Sequence, residues 1–223
     1  MRKLMWQNRW FLVPFTMFIL VCITLQLLYT KPQLHILLNK AHSPFFDLFF
    51  KYVTWLGDGA MIFVVAGFLL FVSYRHFFAF LSGSLLSTGV VSLIKKVLLT
   101  GVYRPMKYFS MYETYNLHFV EGVKLHSFNS FPSGHTAVAF SVFLMLLLLI
   151  KSNPAKLVLF FAAVIVSYSR IYLSQHFMID LTAGALISVP LILVSFHYMQ
   201  KLNKPWLDHS VLTKKTGKNA GKN

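Results

Sequence analysis

Residues 155–199 read AKLVLFFAAVIVSYSRIYLSQHFMIDLTAGALISVPLILVSFHYM and contain two long apolar runs, 155–173 and 178–199. A short connection that carries His176 separates the two runs. Each run reaches the roughly 18 to 20 residues that an α-helix needs to cross the hydrocarbon core of a bilayer. The stretch therefore predicts two consecutive transmembrane helices joined by a tight turn.

Four further apolar runs extend this pattern toward the N-terminus, at about 10–30, 58–74, 77–99 and 133–150. The chain has 223 residues, of which 57% are hydrophobic and 12% are charged. A soluble domain carries about a quarter charged residues, so the composition argues against a soluble protein. We predict an all-α, polytopic membrane protein in which one domain over residues 1–200 contains six transmembrane helices.

The net charge of +15 has two possible explanations, nucleic-acid binding and membrane orientation. The basic residues lie between and beside apolar runs, which favours orientation by the positive-inside rule. If both termini are cytoplasmic, the inner segments hold 12 of the 21 Lys and Arg residues and one acid, Asp208. We therefore predict a protein of the cytoplasmic (inner) membrane with both termini inside, no nucleic-acid partner, and a basic, disordered tail over residues 201–223.

Cysteine content and loop length give two further indications. The one cysteine, Cys22, lies within an apolar run, so neither an intrachain disulfide nor a cysteine metal cluster is possible. The longest connection, about 100–132, is rich in aromatic residues and falls on the outer face of the six-span arrangement. Long ordered loops are often functional, and this one is either a gate for lipid or an interfacial anchor.

Polar residues of the kinds used in catalysis form three clusters, and the six-span arrangement places all three on the outer face. The clusters are Lys96 with Arg104-Pro105; Pro132-Ser133-Gly134-His135; and Ser169-Arg170, followed by His176 and Asp180. Ionisable side chains near a bilayer are costly unless they serve a site. Each of these features, taken alone, also has an ordinary structural explanation. Lys96 fits a lysine at the membrane interface, Arg104-Pro105 a turn, Ser133-Gly134-His135 a helix cap, and His176 a hydrogen-bonded histidine.

The residue types match the chemistry of phosphoryl transfer, in which negative charge spreads over the phosphoryl oxygens. Arg104 and Arg170 can each bind two oxygens with a planar guanidinium, and Lys96 adds a point charge. Ser133 and Gly134 suit the start of a helix, whose free backbone N–H groups bind anions. The clusters therefore indicate a phosphate-binding site.

The two histidines have positions that suit a nucleophile and a proton donor. His176 and Asp180 are four residues apart and share one face if that stretch is helical. A carboxylate bonded to one imidazole nitrogen fixes the tautomer and leaves the other nitrogen free to attack phosphorus. His135, beside the phosphate-binding residues, is placed to protonate the leaving oxygen.

The three clusters resemble those of the type 2 phosphatidic acid phosphatase superfamily over roughly residues 55–195. That family's pattern is Lys, six residues, Arg-Pro; then Pro-Ser-Gly-His; then Ser-Arg, five residues, His, three residues, Asp. The second and third clusters match residue for residue, but seven residues separate Lys96 from Arg104, and Lys95 is one residue further away. The choice between Lys96 and Lys95 therefore stays open, with Lys96 the residue we predict.

The resemblance implies the helical bundle of that family and a metal-independent dephosphorylation of a lipid phosphate or diphosphate through a phosphohistidine, with no cofactor. By similarity, His176 is the nucleophile, Asp180 orients it, and His135 is the general acid. The residues implied in phosphate binding are Lys96, Arg104, Ser133, Gly134 and Arg170. The candidate substrates are undecaprenyl diphosphate, phosphatidate, phosphatidylglycerophosphate and a phosphorylated glycolipid.

Two alternatives to this hydrolase remain open. A lipid-phosphate phosphotransferase would use the same intermediate but pass the phosphoryl group to an acceptor alcohol. A non-catalytic lipid-binding protein would keep the scaffold without turnover. The vanadium haloperoxidases share these motifs but are soluble, so the predicted membrane spans argue against that branch.

Overall fold

The computed structural model describes residues 1–213, and all the regular secondary structure in that range is helical, with no β-strand. The helices in chain order are α1 (Arg2–Gln7), α2 (Arg9–Leu28), α3 (Lys31–Asn39), α4 (Pro44–Val53), α5 (Ala60–Val72), α6 (Tyr74–Leu93), α7 (Pro105–Tyr112), α8 (Gly134–Leu148), α9 (Asn153–Tyr172) and α10 (Met178–Lys201). Two 3₁₀ turns, Thr54–Gly57 and Pro205–Asp208, and a π-helical turn, Ile94–Leu98, complete the regular structure.

Helix α8 occupies the centre of the bundle, where it packs against α5, α6, α9 and α10. Its side chains are apolar on every side, which is the pattern of a helix surrounded by other helices rather than of a surface helix. Helix α10 packs along both α6 and α8, while α2 covers α9 from outside. The arrangement brings the N-terminus of α8 beside the connection between α9 and α10.

Each of the six predicted spans corresponds to one apolar helix, but not all six helices are long enough to cross a bilayer alone. Four are both long and apolar enough: Arg9–Leu28, Tyr74–Leu98, Asn153–Tyr172 and Met178–Lys201. Pro44–Gly57 and Ala60–Val72 form a pair bent by 58° that counts as a fifth span if taken together, and Gly134–Leu148 is shorter. The helical fold agrees with the prediction, and the number of six spans is compatible with it.

The connections contain more helix than the apolar pattern predicted. Helices α3 and α4 lie between the first two apolar runs, and α7 lies inside the long aromatic connection. All three have proline within their first two positions, and Thr30 with Gln33 forms a capping box at α3. Proline at the first turn and side-chain caps stabilise helix starts locally, so these short helices need no long apolar run.

The two ends of the bundle differ in their charged residues. We call the end that holds Arg104, His135 and His176 the site end, and the end that holds Arg75 and Lys156 the far end.

At the far end, the chain beyond α10 folds back, which differs from the predicted disorder of the tail. The backbone N–H of Tyr74 donates to the carbonyl of His209 (2.8 Å), and that of Val211 donates to Leu70 (3.1 Å). Arg75 forms an ion pair with Asp208. These contacts give residues 202–213 a defined position, and the remaining predicted tail lies outside the described residues.

Candidate active site

A cavity of about 440 Å³ opens at the site end. Its lining brings together residues from all three sequence clusters: Lys95, Arg104, Gly134, His135, Arg170 and His176. These residues come from the π-helical turn after α6, the start of α7, the start of α8, the end of α9 and the connection to α10. Helix packing alone thus assembles groups that are up to 81 positions apart in the chain.

His176 and Asp180 form the buried pair that their spacing predicted. Nδ1 of His176 lies 3.1 Å from Oδ2 of Asp180, and both side chains are almost completely buried. The same Oδ2 accepts hydrogen bonds from the hydroxyl of Ser130 and from the backbone N–H of Phe177 (3.0 Å). With three donors on one oxygen, the carboxylate is held in place and in turn fixes the imidazole.

The protonation state of His176 suits a nucleophile. His176 lies in the connection between α9 and α10, where burial and then the positive charges of Arg104 and Arg170 lower its pKa well below the ordinary value. The imidazole is therefore neutral at pH 7. If Nδ1 carries the proton and donates it to Asp180, Nε2 keeps its lone pair.

Ser133 and Gly134 begin α8, but they take different positions. The Ser133 hydroxyl caps the helix by accepting from the N–H of Thr136 (3.3 Å), and its own N–H donates to the carbonyl of Asp180 (2.9 Å). Ser133 is fully buried, whereas Gly134 lines the cavity. The helix N-terminus with its free N–H groups therefore faces the cavity at Gly134.

Gly184 allows α10 to approach this turn. A Cβ at that position would lie 2.5 Å from the carbonyl oxygen of Ser133. Any side chain at position 184 would therefore displace the start of α8 and the site with it.

The two arginines lie in the cavity wall with much of their hydrogen-bonding capacity unused. Arg170 is buried, donates from Nη1 to the hydroxyl of Thr54 (2.6 Å), and has no protein partner for Nε. Arg104 donates to the carbonyl of Phe128 (3.0 Å) and to the backbone and side-chain oxygens of Gln175 (3.3 and 3.2 Å). Burial lowers the pKa of Arg104, yet a guanidinium stays charged at any physiological pH.

Of the two candidate lysines Lys95 and Lys96, only Lys95 lines the cavity, so we propose Lys95 in place of Lys96. Lys96 is exposed and does not line the cavity, whereas Lys95 is half-buried within the lining. The reason is the π-helical turn Ile94–Leu98, closed by the bond from the Leu99 N–H to the Ile94 carbonyl (2.7 Å). A π turn holds an extra residue, and Gly101 at φ 77° adds a sharp turn, so more residues fit between the lysine and Arg104.

Four residues that the sequence did not single out support the site. Thr54 accepts a hydrogen bond from Arg170, and Ser130 donates one to Asp180. Gln175 accepts a hydrogen bond from Arg104. Asp58 places Oδ2 3.8 Å from Nε2 of His135. Ser130 and Gln175 could have been suspected because they adjoin the motifs, but Thr54 and Asp58 come from another part of the chain and carry no local signal.

No group of three or more His, Cys, Asp or Glu side chains in residues 1–213 is arranged to hold a metal ion.

Residues 76–204 match the family model described as the PAP2 superfamily, which is more than half of the chain. The chain belongs to the PAP2 superfamily. It is a multi-pass membrane protein and a phosphatase of this family. All three clusters fall within the PAP2 match, and the earlier resemblance to the type 2 phosphatidic acid phosphatases is confirmed.

Two crystal structures of PAP2 proteins are similar to this chain. LpxE of Aquifex aeolicus has 28% sequence identity and a TM-score of 0.66, over 76% of this chain and 96% of LpxE. A transmembrane PAP2-type phosphatidylglycerolphosphate phosphatase from Bacillus subtilis has 21% identity and a TM-score of 0.56, over 86% of this chain and 97% of that protein. The second likeness shows the shared fold. No curated protein sequence matches the chain significantly.

Proposed function

We propose that this protein removes phosphate from a lipid phosphate or diphosphate through a phosphohistidine on His176, without a metal ion. The observation that supports the proposal most is the His176–Asp180 pair, 3.1 Å apart, at the wall of a cavity that is also lined by His135 and by the cations Lys95, Arg104 and Arg170. A neutral, oriented imidazole next to a phosphate-binding pocket is the arrangement that nucleophilic attack on phosphorus requires.

In the first step, Nε2 of His176 attacks the phosphorus atom of the scissile phosphate. A P–N bond forms and the bond from phosphorus to the lipid oxygen breaks, and that oxygen takes a proton from His135. Asp180 stabilises the positive charge that develops on the His176 ring. Arg104, Arg170, Lys95 and the N–H groups at the start of α8 bind the phosphoryl oxygens as charge shifts onto them.

In the second step, water attacks the phosphohistidine. His135 accepts a proton from the water, a P–O bond forms, and the P–N bond breaks to release inorganic phosphate and neutral His176. Asp58, 3.8 Å from His135, favours the protonated form of that imidazole, which donates in the first step and is formed again in the second. Ser133 supports both steps indirectly, because its hydroxyl caps the helix that carries Gly134 and His135.

We infer a lipid substrate because the cavity belongs to a membrane-embedded bundle, and the charge bias supports a position of the cavity on the outer face of the cytoplasmic membrane. The orientation can be tested with Ser127→Cys in a Cys22→Ala background. An impermeant thiol reagent should label this cysteine in intact cells, and labelling only after permeabilisation would contradict the proposed orientation.

Phosphate release by the purified protein tests the function itself. The wild type should release phosphate from lipid phosphates in the presence of EDTA, and His176→Ala should release none above background. With a substrate radiolabelled in the scissile phosphate, the wild type should form an acid-labile phosphoprotein and His176→Ala should not. Phosphate release by His176→Ala would exclude His176 as the nucleophile, and release that requires an added alcohol would favour the phosphotransferase.

A further inference from the structure

The cavity has a second wall that the phosphate-binding motifs do not include. This wall, which we call the loop wall, consists of Lys51 from α4 and the loop residues Gly122, Lys124 and His126. It faces the same space as Arg104, Arg170 and Lys95, but it belongs to parts of the chain outside the three clusters.

A hydrogen bond to the turn at residues 121–122 holds Lys51 in the loop wall. Its Nζ donates to the carbonyl of Glu121 (2.8 Å), which leaves two of the three ammonium N–H groups for other partners. Gly122 has φ 72°, and a Cβ there would lie 2.7 Å from Nζ of Lys51. Glycine at position 122 therefore provides both the turn conformation and the space for the lysine.

The loop wall is connected to the catalytic residues through one side chain, Gln175. Its Nε2 donates to the carbonyl of Lys124 (2.6 Å), while its Oε1 accepts from Nη1 of Arg104 (3.2 Å). Nε of Arg104 donates to Phe128 of the same loop (3.0 Å). The loop that carries Lys124 is thus fixed relative to the guanidinium that binds the scissile phosphate.

The charge of the cavity exceeds what one phosphate group needs. Five lysine and arginine side chains line it, and none of the lining residues is Asp or Glu: Lys51, Lys95, Arg104, Lys124 and Arg170. A phosphomonoester carries at most two negative charges, which the three motif cations already match. Like charges gathered in one partly enclosed space repel each other unless an anion binds among them.

We propose that Lys51 and Lys124 bind a second phosphate group of the substrate, so that the preferred substrate is a lipid with two phosphates in its headgroup. This inference rests on the proposed function. The scissile phosphoryl group lies against His176 and the motif cations, and the second phosphate lies against the loop wall. Either a diphosphate or two phosphates separated by a short linker has the required chemistry.

The experiment compares hydrolysis of matched substrate pairs. Farnesyl diphosphate is compared with farnesyl monophosphate, and phosphatidylglycerophosphate with phosphatidate of the same acyl chains. The variants are Lys51→Gln and Lys124→Gln, and Lys40→Gln is the control because it removes one exposed lysine, directly after α3, that does not line the cavity. Thermal unfolding of each variant checks that the fold is retained.

We expect each loop-wall variant to lower kcat/KM for a two-phosphate substrate by about tenfold, which is the effect of losing one charge-assisted hydrogen bond. For the one-phosphate partner and for Lys40→Gln, kcat/KM should stay within about twofold of the wild type. An effect in the farnesyl pair alone identifies a diphosphate, and an effect in the glycerol pair alone identifies two separated phosphates.

Equal losses on one-phosphate and two-phosphate substrates would overturn the inference while leaving the proposed function intact. The absence of any effect on either pair would overturn it as well. If the wild type released phosphate from none of the four lipids, the proposed function would fail and the inference with it. Lys124 is exposed, so its substitution tests the proposal even if Lys51→Gln does not fold.

Discussion

The site end and the far end both contain buried cationic side chains, but their partners differ. At the far end, Arg75 donates to both carboxylate oxygens of Asp208 (2.6 and 2.8 Å) and to the carbonyls of Met199 and Leu202. At the site end, no carboxylate in the described part of the chain lies within 4.0 Å of Arg104 or Arg170. Each of the three guanidinium nitrogens of Arg75 has a protein partner, whereas Arg104 and Arg170 each have at least one nitrogen without a partner among residues 1–213.

This difference separates a structural charge from a ligand-binding one. A buried cation whose donors all have protein partners contributes to the packing of the segments that it joins. Buried arginines that have no carboxylate partner raise the free energy of the unliganded protein. The binding of an anion beside them lowers that free energy. Arg75 therefore belongs to one class, and Arg104 and Arg170 belong to another, although the net charge does not distinguish them.

The largest of these expected effects comes from Asp180→Asn, because Asp180 is the buried carboxylate that bonds His176 rather than an arginine. An amide cannot stabilise the charged imidazole and can favour the wrong tautomer, so kcat should fall by about 10³ or more. Phosphate release under saturating lipid measures the effect. A rate within a few-fold of the wild type would remove the orienting role of Asp180.

Arg170→Met tests the unpaired cation directly. The substitution removes a buried charge that has one hydrogen-bond partner, Thr54, so we expect kcat/KM to fall by about 10². The thermal unfolding temperature should stay equal or rise, because an unpaired buried charge no longer has to be accommodated. A clear drop in that temperature would mean that Arg170 stabilises the empty protein, and the distinction between the two ends would be wrong.

These differences also show which parts of the site were predictable from sequence. The His176–Asp180 pair and the Ser133 cap depend on contacts within four residues, so their spacing already determines the geometry. The choice between Lys95 and Lys96 depends on a single π-helical turn, which no pattern in the sequence predicted. The contact of Thr54 with Arg170 spans 116 positions and follows only from how α9 packs beside α4.

The same reasoning applies to the fold. The apolar runs predicted the bundle helices, because a bilayer selects for length and apolar composition. The short helices α3, α4 and α7 depend on local caps and prolines that hydropathy does not detect. The order of residues 202–213 depends on the pairing of Arg75 with Asp208, which lies 133 positions away.

Lys95→Gln and Lys96→Gln form a matched pair with a smaller expected effect. Lys95 lines the cavity, so its loss should raise KM and lower kcat/KM by about tenfold, as expected for one charged hydrogen bond. Lys96 is exposed outside the cavity, so its loss should change kcat/KM by less than about twofold. Steady-state kinetics on one lipid phosphate measure both variants. The reverse result would restore Lys96 to the site.

Arg75→Gln should leave catalysis unchanged and weaken the far end. Glutamine cannot bind both oxygens of Asp208, and it leaves the carbonyls of Met199 and Leu202 without their donor. The thermal unfolding temperature should therefore fall by a few degrees, and protease should cut the segment 202–213 sooner. Asp208→Asn should have the weaker effect of the two, because Asp208 is largely exposed and water can replace its partner. A loss of kcat/KM without a loss of stability would mean that Arg75 acts on the site end across the bundle, and its complete pairing would no longer mark it as structural.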